Sequence, residues 1–151
     1  MIGLTTVEQR VDRDFARARR RGFFGRLATR FLGERGGDAT HRLACFEEAK
    51  ETTNAADRYR RGFETVELDR VVGSVGRCLD FDRGFLPVCS CSKGRWKRVA
   101  RTFREGRPLP PVELYKLGER YFVLDGNHRV SVARYLGAVA IDAVVTELFM
   151  V

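Results

Sequence analysis

The residues best suited to chemistry follow one another where an apolar strand is predicted to end and a helix to begin. The stretch 121–124 is apolar, and the polar residues come directly after it: Asp125, Gly126, Asn127, His128 and Arg129. The first turn of a helix exposes backbone amides without internal partners, together with the positive end of the helix dipole. Such a turn favours a phosphate, so the spacing predicts an anion site here.

Each residue type at this turn suits a different part of that chemistry. Gly126 lets an anion approach the backbone because no Cβ stands in the way. Arg129 offers a planar charged fork, and His128 offers a further donor. Beside a phosphate, Asp125 would bind magnesium or act as a base toward a hydroxyl. The alternative is structural: Asp125 or Asn127 caps the helix, His128 is half-buried and Arg129 lies on the surface.

The elements around this turn predict an α+β domain. Alternating apolar residues predict strands at 66–68, 112–115 and 121–124, the last two joined by a hairpin turn, and a final strand at 140–145. Trp96, Val99, Ala100 and Phe103 recur at helical spacing, and a second helix is expected from Asn127 to Leu136. Short strands with helices packed on the sheet are the expected architecture.

The positive charge is concentrated near the N-terminus. The 151 residues contain 24 Arg, 4 Lys and 20 acids, for a net charge of +8. Residues 1–36 hold nine Arg against four acids, which gives +5, whereas residues 37–151 contribute only +3. Thr5 and Glu8 have the spacing of a capping box, so a basic helical arm is predicted, interrupted at Gly22 and Gly25.

A second basic cluster lies on the helix expected over 93–107. Together the two clusters could contact DNA, RNA or another polyanion, or an anionic membrane. They could equally form a solvated surface, with the apolar face of the arm packed on the domain. The candidate nucleic-acid contacts are Arg17, Arg19, Arg20, Arg21, Lys97, Arg98, Arg101 and Arg104.

Composition excludes several classes of protein. No uncharged stretch exceeds eight residues, whereas a spanning helix needs about 20. The N-terminus does not read as a signal peptide, so we expect a cytoplasmic protein in which the four cysteines are free thiols. Cys89 and Cys91 could offer two thiolates to a metal, but a zinc site needs four donors.

The turn resembles that of the ParB/sulfiredoxin superfamily, over about residues 64–147. The Gly-x-x-Arg box of ParB N-terminal domains is matched by Gly126 and Arg129. In those domains an opening strand leads to an arginine that faces the nucleotide, and the segment ending in Ser74-Val75-Gly76-Arg77 is similar in kind. The resemblance implies a ParB/sulfiredoxin-like mixed sheet with packed helices (64–151). The basic helical arm (1–36) and a connecting segment predicted to be helical (37–63) precede this domain and lie outside the resemblance.

Nucleotide binding is the function that this resemblance implies, with CTP or ATP and Mg²⁺. The implied phosphate contacts are Ser74, Arg77, Gly126, Asn127, His128 and Arg129. Asp125, His128 and Glu67 are candidates for catalysis of phosphoryl transfer or hydrolysis, and Asp125 for magnesium. Sulfiredoxins carry a nucleophilic cysteine where this chain has Asn127, so sulfiredoxin activity is not expected. The Asp-Gly-x-His-Arg pattern is closer to that of the ParB-like free serine kinases.

Three functions therefore compete. The first is a nucleotide-binding protein that could be an NTPase or a small-molecule kinase. The second is a nucleic-acid-binding module, with a nuclease variant that some ParB-like relatives suggest. The third is a scaffold with an inactive site, in which the arm binds a protein or a membrane.

Overall fold

The structure is a computed structural model that describes residues 5–31, 43–53 and 55–150. Four helices are described: α1 (Val7–Phe31), α2 (Phe46–Thr53), α3 (Lys93–Arg104) and α4 (Asn127–Tyr135). The six strands are β1 (Ala44–Cys45), β2 (Ala55–Glu67), β3 (Val71–Ser74), β4 (Val112–Leu117), β5 (Arg120–Asp125) and β6 (Ala140–Met150). The predicted α+β class is confirmed.

The six strands form one mixed sheet in the order β1-β3-β5-β4-β6-β2. β4 and β5 form the predicted hairpin, while β3 pairs with β5 in parallel and β6 pairs with β4 in parallel. β3 and β5 therefore end at the same edge of the sheet. The loop after β3 and the start of α4 are brought together there, which is what positions the candidate site.

The larger hydrophobic core lies between the sheet and the helices α1, α3 and α4. Trp96 of α3 is fully buried, its ring packs against Phe15 of α1 and Tyr135 of α4, and its indole N–H donates to Ser131 Oγ at 2.9 Å. A smaller cluster on the other face of the sheet is covered by Phe46 of α2, which packs on Phe122. The arm is thus part of the main core.

Helix α1 differs from its prediction in two respects. The capping box forms one residue later than expected: Thr6 N–H donates to Gln9 Oε1 at 3.1 Å, and Gln9 N–H donates to Thr6 Oγ1 at 3.2 Å. The predicted interruption at Gly22 and Gly25 is wrong, since α1 runs through both. Gly22 is buried, and this packing outweighs the cost of about 1 kcal/mol that glycine brings to a helix interior.

The predicted helical connecting segment is largely wrong. Only Phe46–Thr53 is helical, and β2 begins at Ala55; residues 37–42 lie outside the described residues. β2 pairs with β6 along most of its length, from Tyr59 opposite Leu148 to Glu67 opposite Ala140. The local sequence is polar, and this long-range backbone pairing determines the strand.

The prediction of free thiols is also wrong. The structure joins Cys45 to Cys78 and Cys89 to Cys91, so all four cysteines are in disulfides. Cys45 and Cys78 are 33 residues apart in sequence, and their Cα atoms lie 5.4 Å apart because β1 pairs with β3. The proximity arises from tertiary pairing, which spacing alone does not reveal.

Among the described helices, none combines the length and the apolar composition needed to cross a bilayer.

Candidate functional site

The predicted strand-to-helix turn is present, and Gly126 determines its shape. Gly126 is the N-cap of α4 with φ of 106°, a left-handed conformation that other residues rarely adopt. A Cβ at this position would come within 2.6 Å of Val112 Cγ1 and 3.1 Å of Arg129 Nε. The backbone can therefore make this turn only with glycine.

The start of α4 carries no side-chain cap. Gly126 provides no side-chain hydrogen bond, and the first backbone hydrogen bond of the helix runs from Val130 N–H to Gly126 O at 3.0 Å. The preceding first-turn amides have no intrahelical acceptor, and they lie at the positive end of the helix dipole. The alternative in which Asp125 or Asn127 caps the helix is not what the structure has.

A cavity of about 420 Å³ opens between this turn and the first half of α3. We call it the basic cavity; its charged and polar lining residues are Arg77, Arg95, Arg98, Asp125, Asn127, His128 and Arg129. Three structural elements contribute its arginines: the loop after β3, α3 and α4. This volume is within the range of small-molecule sites.

Arg95 and Arg98 are the residues whose part in this cavity the sequence did not reveal. Arg95 was absent from the predicted site, and Arg98 was assigned to nucleic-acid contact. Both lie on the side of α3 that faces the basic cavity. The first turn of α3 contains no acidic residue. Their i, i+3 spacing places them on one helix face, which is the signal that could have paired them.

Arg129 lines the basic cavity, but its terminal nitrogens are already bonded. Nη1 donates to the carbonyl oxygens of Pro110 and Pro111 at 2.7 and 3.0 Å, and Nη2 donates to Asp125 Oδ2 at 3.1 Å. Its side chain is only 14% exposed. In this state Arg129 fixes the entry to β4 and orients Asp125, rather than offering a free fork to an anion.

The loop after β3 holds Arg77 through Ser74. Ser74 is fully buried; its Oγ accepts from Arg77 N–H at 3.1 Å and donates to Val123 O at 3.4 Å. Ser74 is therefore outside the cavity lining and stabilises the backbone at Arg77 instead. The Arg77 guanidinium donates to Asp80 at 3.0 Å and lines the cavity.

His128 lies half-buried in the cavity lining, with the edge of the Phe81 ring against it. Burial lowers the pKa of His128 below its ordinary value of 6.5, and the charges of Arg95 and Arg77 lower the pKa further, while Asp80 acts in the opposite direction. The imidazole is therefore neutral at neutral pH, and it can take up a proton rather than give one.

This pKa shift predicts an acid-dependent loss of stability. Because the fold disfavours the protonated imidazole, the unfolded chain binds a proton more readily, and stability falls as the pH drops below 6.5 toward the lowered value. Urea unfolding between about pH 5 and 8 should show a steeper acid loss for the wild type than for His128→Gln. If the stability of the two proteins fell equally as the pH was lowered, that result would contradict the lowered pKa of His128.

Two polar atoms in the cavity lining lack hydrogen-bond partners. They are Oδ1 of Asn127, whose residue is 8% exposed, and Nε2 of His128. A buried polar atom without a partner costs about 1–3 kcal/mol. Both atoms are buried from solvent, so a bound molecule would reach them only after neighbouring side chains moved.

The two predicted catalytic carboxylates lie in different places: one lines the cavity and the other does not. Asp125 lines the cavity, and its side chain is 70% exposed. Glu67 ends β2, lies outside the cavity lining and pairs with Arg70 at 3.7 Å. In the residues that the structure describes, no three His, Cys, Asp or Glu side chains group together to hold a metal ion. A single carboxylate fits Mg²⁺ that is bound mainly through phosphate oxygens.

The basic residues of α3 that face away from the cavity pair with α1. Lys97 contacts Glu8 at 3.1 Å and Asp12 at 2.5 Å, and Arg101 pairs with Glu8. Arg104 donates two hydrogen bonds, at 2.7 and 2.9 Å, to the buried Asp14, and this carboxylate raises the pKa of Arg104. These three predicted nucleic-acid contacts are thus engaged within the protein.

Comparison with known proteins gives one distant likeness. No family model matches the chain, and no curated protein matches it. Among solved structures, the chain is similar to the crystal structure of sulfiredoxin from Arabidopsis thaliana, with a TM-score of 0.42 and 15% sequence identity. The match covers 56% of this chain and 83% of that chain. The likeness is one of fold alone.

Proposed function

We propose that the chain binds a nucleoside triphosphate, ATP or CTP, in the basic cavity. The observation that carries this proposal is a cavity of about 420 Å³ that is lined by four arginines and lies at the uncapped start of α4. The arginines attract phosphate, and the apolar and polar lining residues Val99, Leu124 and Asn127 suit a base or a sugar. A nucleotide carries both kinds of group, which a bare phosphate does not.

The phosphates would lie over the start of α4. There Gly126, whose helix has no side-chain cap, lines the same cavity as Arg77, Arg95 and Arg98. Each contact with the ligand would be a charge-assisted hydrogen bond of the kind that helix N-termini and arginines make with phosphate. Arg129 acts by positioning Asp125 and the β4 entry.

Phosphoryl transfer or hydrolysis is the further step in this proposal. Mg²⁺, held by the phosphates and Asp125, would supply charge neutralisation. Asp125 and the neutral His128 are the groups in the cavity that can take a proton from an attacking hydroxyl or water. Release of inorganic phosphate from ATP and CTP, measured with Mg²⁺ present, separates an enzyme from a binding protein.

A thermal-shift panel tests the binding itself. ATP, ADP, CTP, GTP and inorganic triphosphate, each with Mg²⁺, are compared at one common concentration; a ligand present at about 100 times its dissociation constant stabilises by about 2.7 kcal/mol. We expect a nucleoside triphosphate to raise Tm more than inorganic triphosphate does, because only the nucleotide has a base and a sugar that can contact the rest of the cavity lining.

Two arginine variants provide the matched comparison. The double variant Arg95→Gln with Arg98→Gln should lose most of the nucleotide-dependent shift, since it removes two of the cavity's cations. Arg83→Gln, an exposed arginine outside the cavity lining, should keep the shift. If no nucleotide changed the Tm of the wild-type protein, that result would contradict the proposal and favour the inactive scaffold.

A further inference from the structure

The acidic side chains of helix α1 contact α3, whereas four of its arginines form a line on the exposed side. In residues 5–22 the three acids Glu8, Asp12 and Asp14 all bind cations of α3. The arginines Arg10, Arg13, Arg17 and Arg20 are exposed, and none of them forms an ion pair with a residue that the structure describes. We call these four residues the arginine stripe. The acidic side chains of α1 within residues 5–22 therefore pair with α3 and do not neutralise the arginine stripe.

The stripe forms a continuous line of positive charge. Its members follow at intervals of three and four residues, so each lies next to another arginine on the same helix face. Like charges at this spacing destabilise an isolated helix by a few tenths of a kcal/mol per pair in the absence of a counter-charge. From Arg10 to Arg20 the stripe extends about 15 Å, which equals about four base-pair steps of a duplex.

We propose that the arginine stripe binds the phosphate backbone of double-stranded DNA. This surface is distinct from the basic cavity and does not depend on the proposed nucleotide function. Arginine forms bidentate hydrogen bonds with phosphate oxygens, and four such side chains in line match the closely spaced charges of a duplex. The stripe adds Arg10 and Arg13 to the residues predicted from sequence.

The packing of α1 distinguishes DNA from a membrane. An interfacial helix buries its apolar face in the lipid. In this protein Val11, Phe15 and Ala18, the apolar face of α1, are buried in the main core. Within residues 5–22, no aromatic, Leu, Ile or Met side chain of α1 is exposed, so this part of the helix would contact a bilayer through charge alone.

The composition of the exposed face distinguishes duplex DNA from other nucleic acids. Single strands are bound by aromatic side chains that stack on bases, and no exposed residue of α1 within 5–22 is aromatic. A helix enters the major groove of B-form DNA, which is about 12 Å wide, whereas the major groove of A-form RNA is deep and narrow. A helix with a line of exposed arginines and no exposed aromatic residue within 5–22 therefore fits B-form DNA best.

The test measures binding to a duplex DNA oligonucleotide as a function of salt. Four phosphate contacts should give a slope of about −3.6 in log K against log salt, or a roughly 100-fold loss between about 50 and 200 mM. The variant with Arg10, Arg13, Arg17 and Arg20 each changed to Gln should lose most of that slope. Circular dichroism and thermal unfolding check that this variant keeps its fold.

A charge-matched variant separates the stripe from net charge. It carries Gln at four exposed arginines outside α1 and the basic cavity: Arg61, Arg70, Arg83 and Arg120. It should bind DNA as the wild type does, apart from a small uniform loss. Equal loss in the two variants, tighter binding to duplex RNA or single-stranded DNA, or stronger association with phosphatidylserine vesicles would each overturn the proposal.

Discussion

Replacing Gly126 with alanine should lower the free energy of unfolding by about 3 kcal/mol and abolish the nucleotide binding that we propose. The added Cβ would have to occupy space 2.6 Å from Val112 Cγ1, in a backbone conformation with φ of 106°. Val112 is fully buried where β4 begins, so it cannot move without disturbing the core. Relief of the clash would shift the start of α4, and with it the amides that face the basic cavity.

Gly137→Ala is the matched control for this substitution. Gly137 also has a positive φ, 82°, but a Cβ there would meet nothing within 4 Å. It should therefore cost only the backbone strain, about 1 kcal/mol, and leave ligand binding intact. Chemical denaturation of the two variants, with nucleotide titration of each, measures the difference. Equal costs would show that contact with Val112 does not matter.

Arg104→Met should be the most damaging single substitution of a charged residue, at about 3 kcal/mol. The Asp14 side chain is only 5% exposed, and the Arg104 guanidinium binds both its oxygens. Removing the cation leaves a buried carboxylate without its partner, which costs far more than the pair contributes. Because Asp14 belongs to α1, the contact between α1 and α3 should loosen, and urea unfolding should show this as a lower midpoint.

Two further variants determine the origin of that loss. Arg101→Met removes the exposed pair with Glu8 from the same helix interface and should cost less than about 1 kcal/mol. Combining Asp14→Leu with Arg104→Met removes both charges, so the double variant should recover much of the stability lost by Arg104→Met. If Arg104→Met were no more harmful than Arg101→Met, burial of Asp14 would not determine the energetics.

Local features of the candidate site could be predicted because they depend on neighbours in sequence. The end of β5, the turn at Gly126 and the start of α4 lie within a few residues of one another. Their pattern of apolar and polar residues is sufficient to predict the strand, the turn and the helix. The hairpin of β4 and β5 and the amphipathic helix α3 follow for the same reason. Arg77 was placed at the site through the family resemblance.

Features that depend on how elements pack could not be predicted. The residue type at Arg129 indicated a phosphate contact, but its bonds to Pro110 and Pro111 depend on where the chain enters β4. Arg104 and Asp14 are 90 residues apart, and only the docking of α1 on α3 joins them. That docking also divides the basic face of α3, so that Arg95 and Arg98 line the cavity while Lys97 and Arg101 bind α1.

The Cys45–Cys78 cross-link has a consequence for the edges of the sheet. β1 and β2 are the two outermost strands, and the chain between the bonded cysteines includes β2 and β3. The loop of residues 45–78 that this disulfide closes therefore runs from one edge strand of the sheet to the other and back. β1 itself pairs with β3 over only two residues. Thiol reduction would leave this short border strand attached by few backbone hydrogen bonds, so Phe46, which follows it directly and packs on Phe122, would be held to the sheet less firmly.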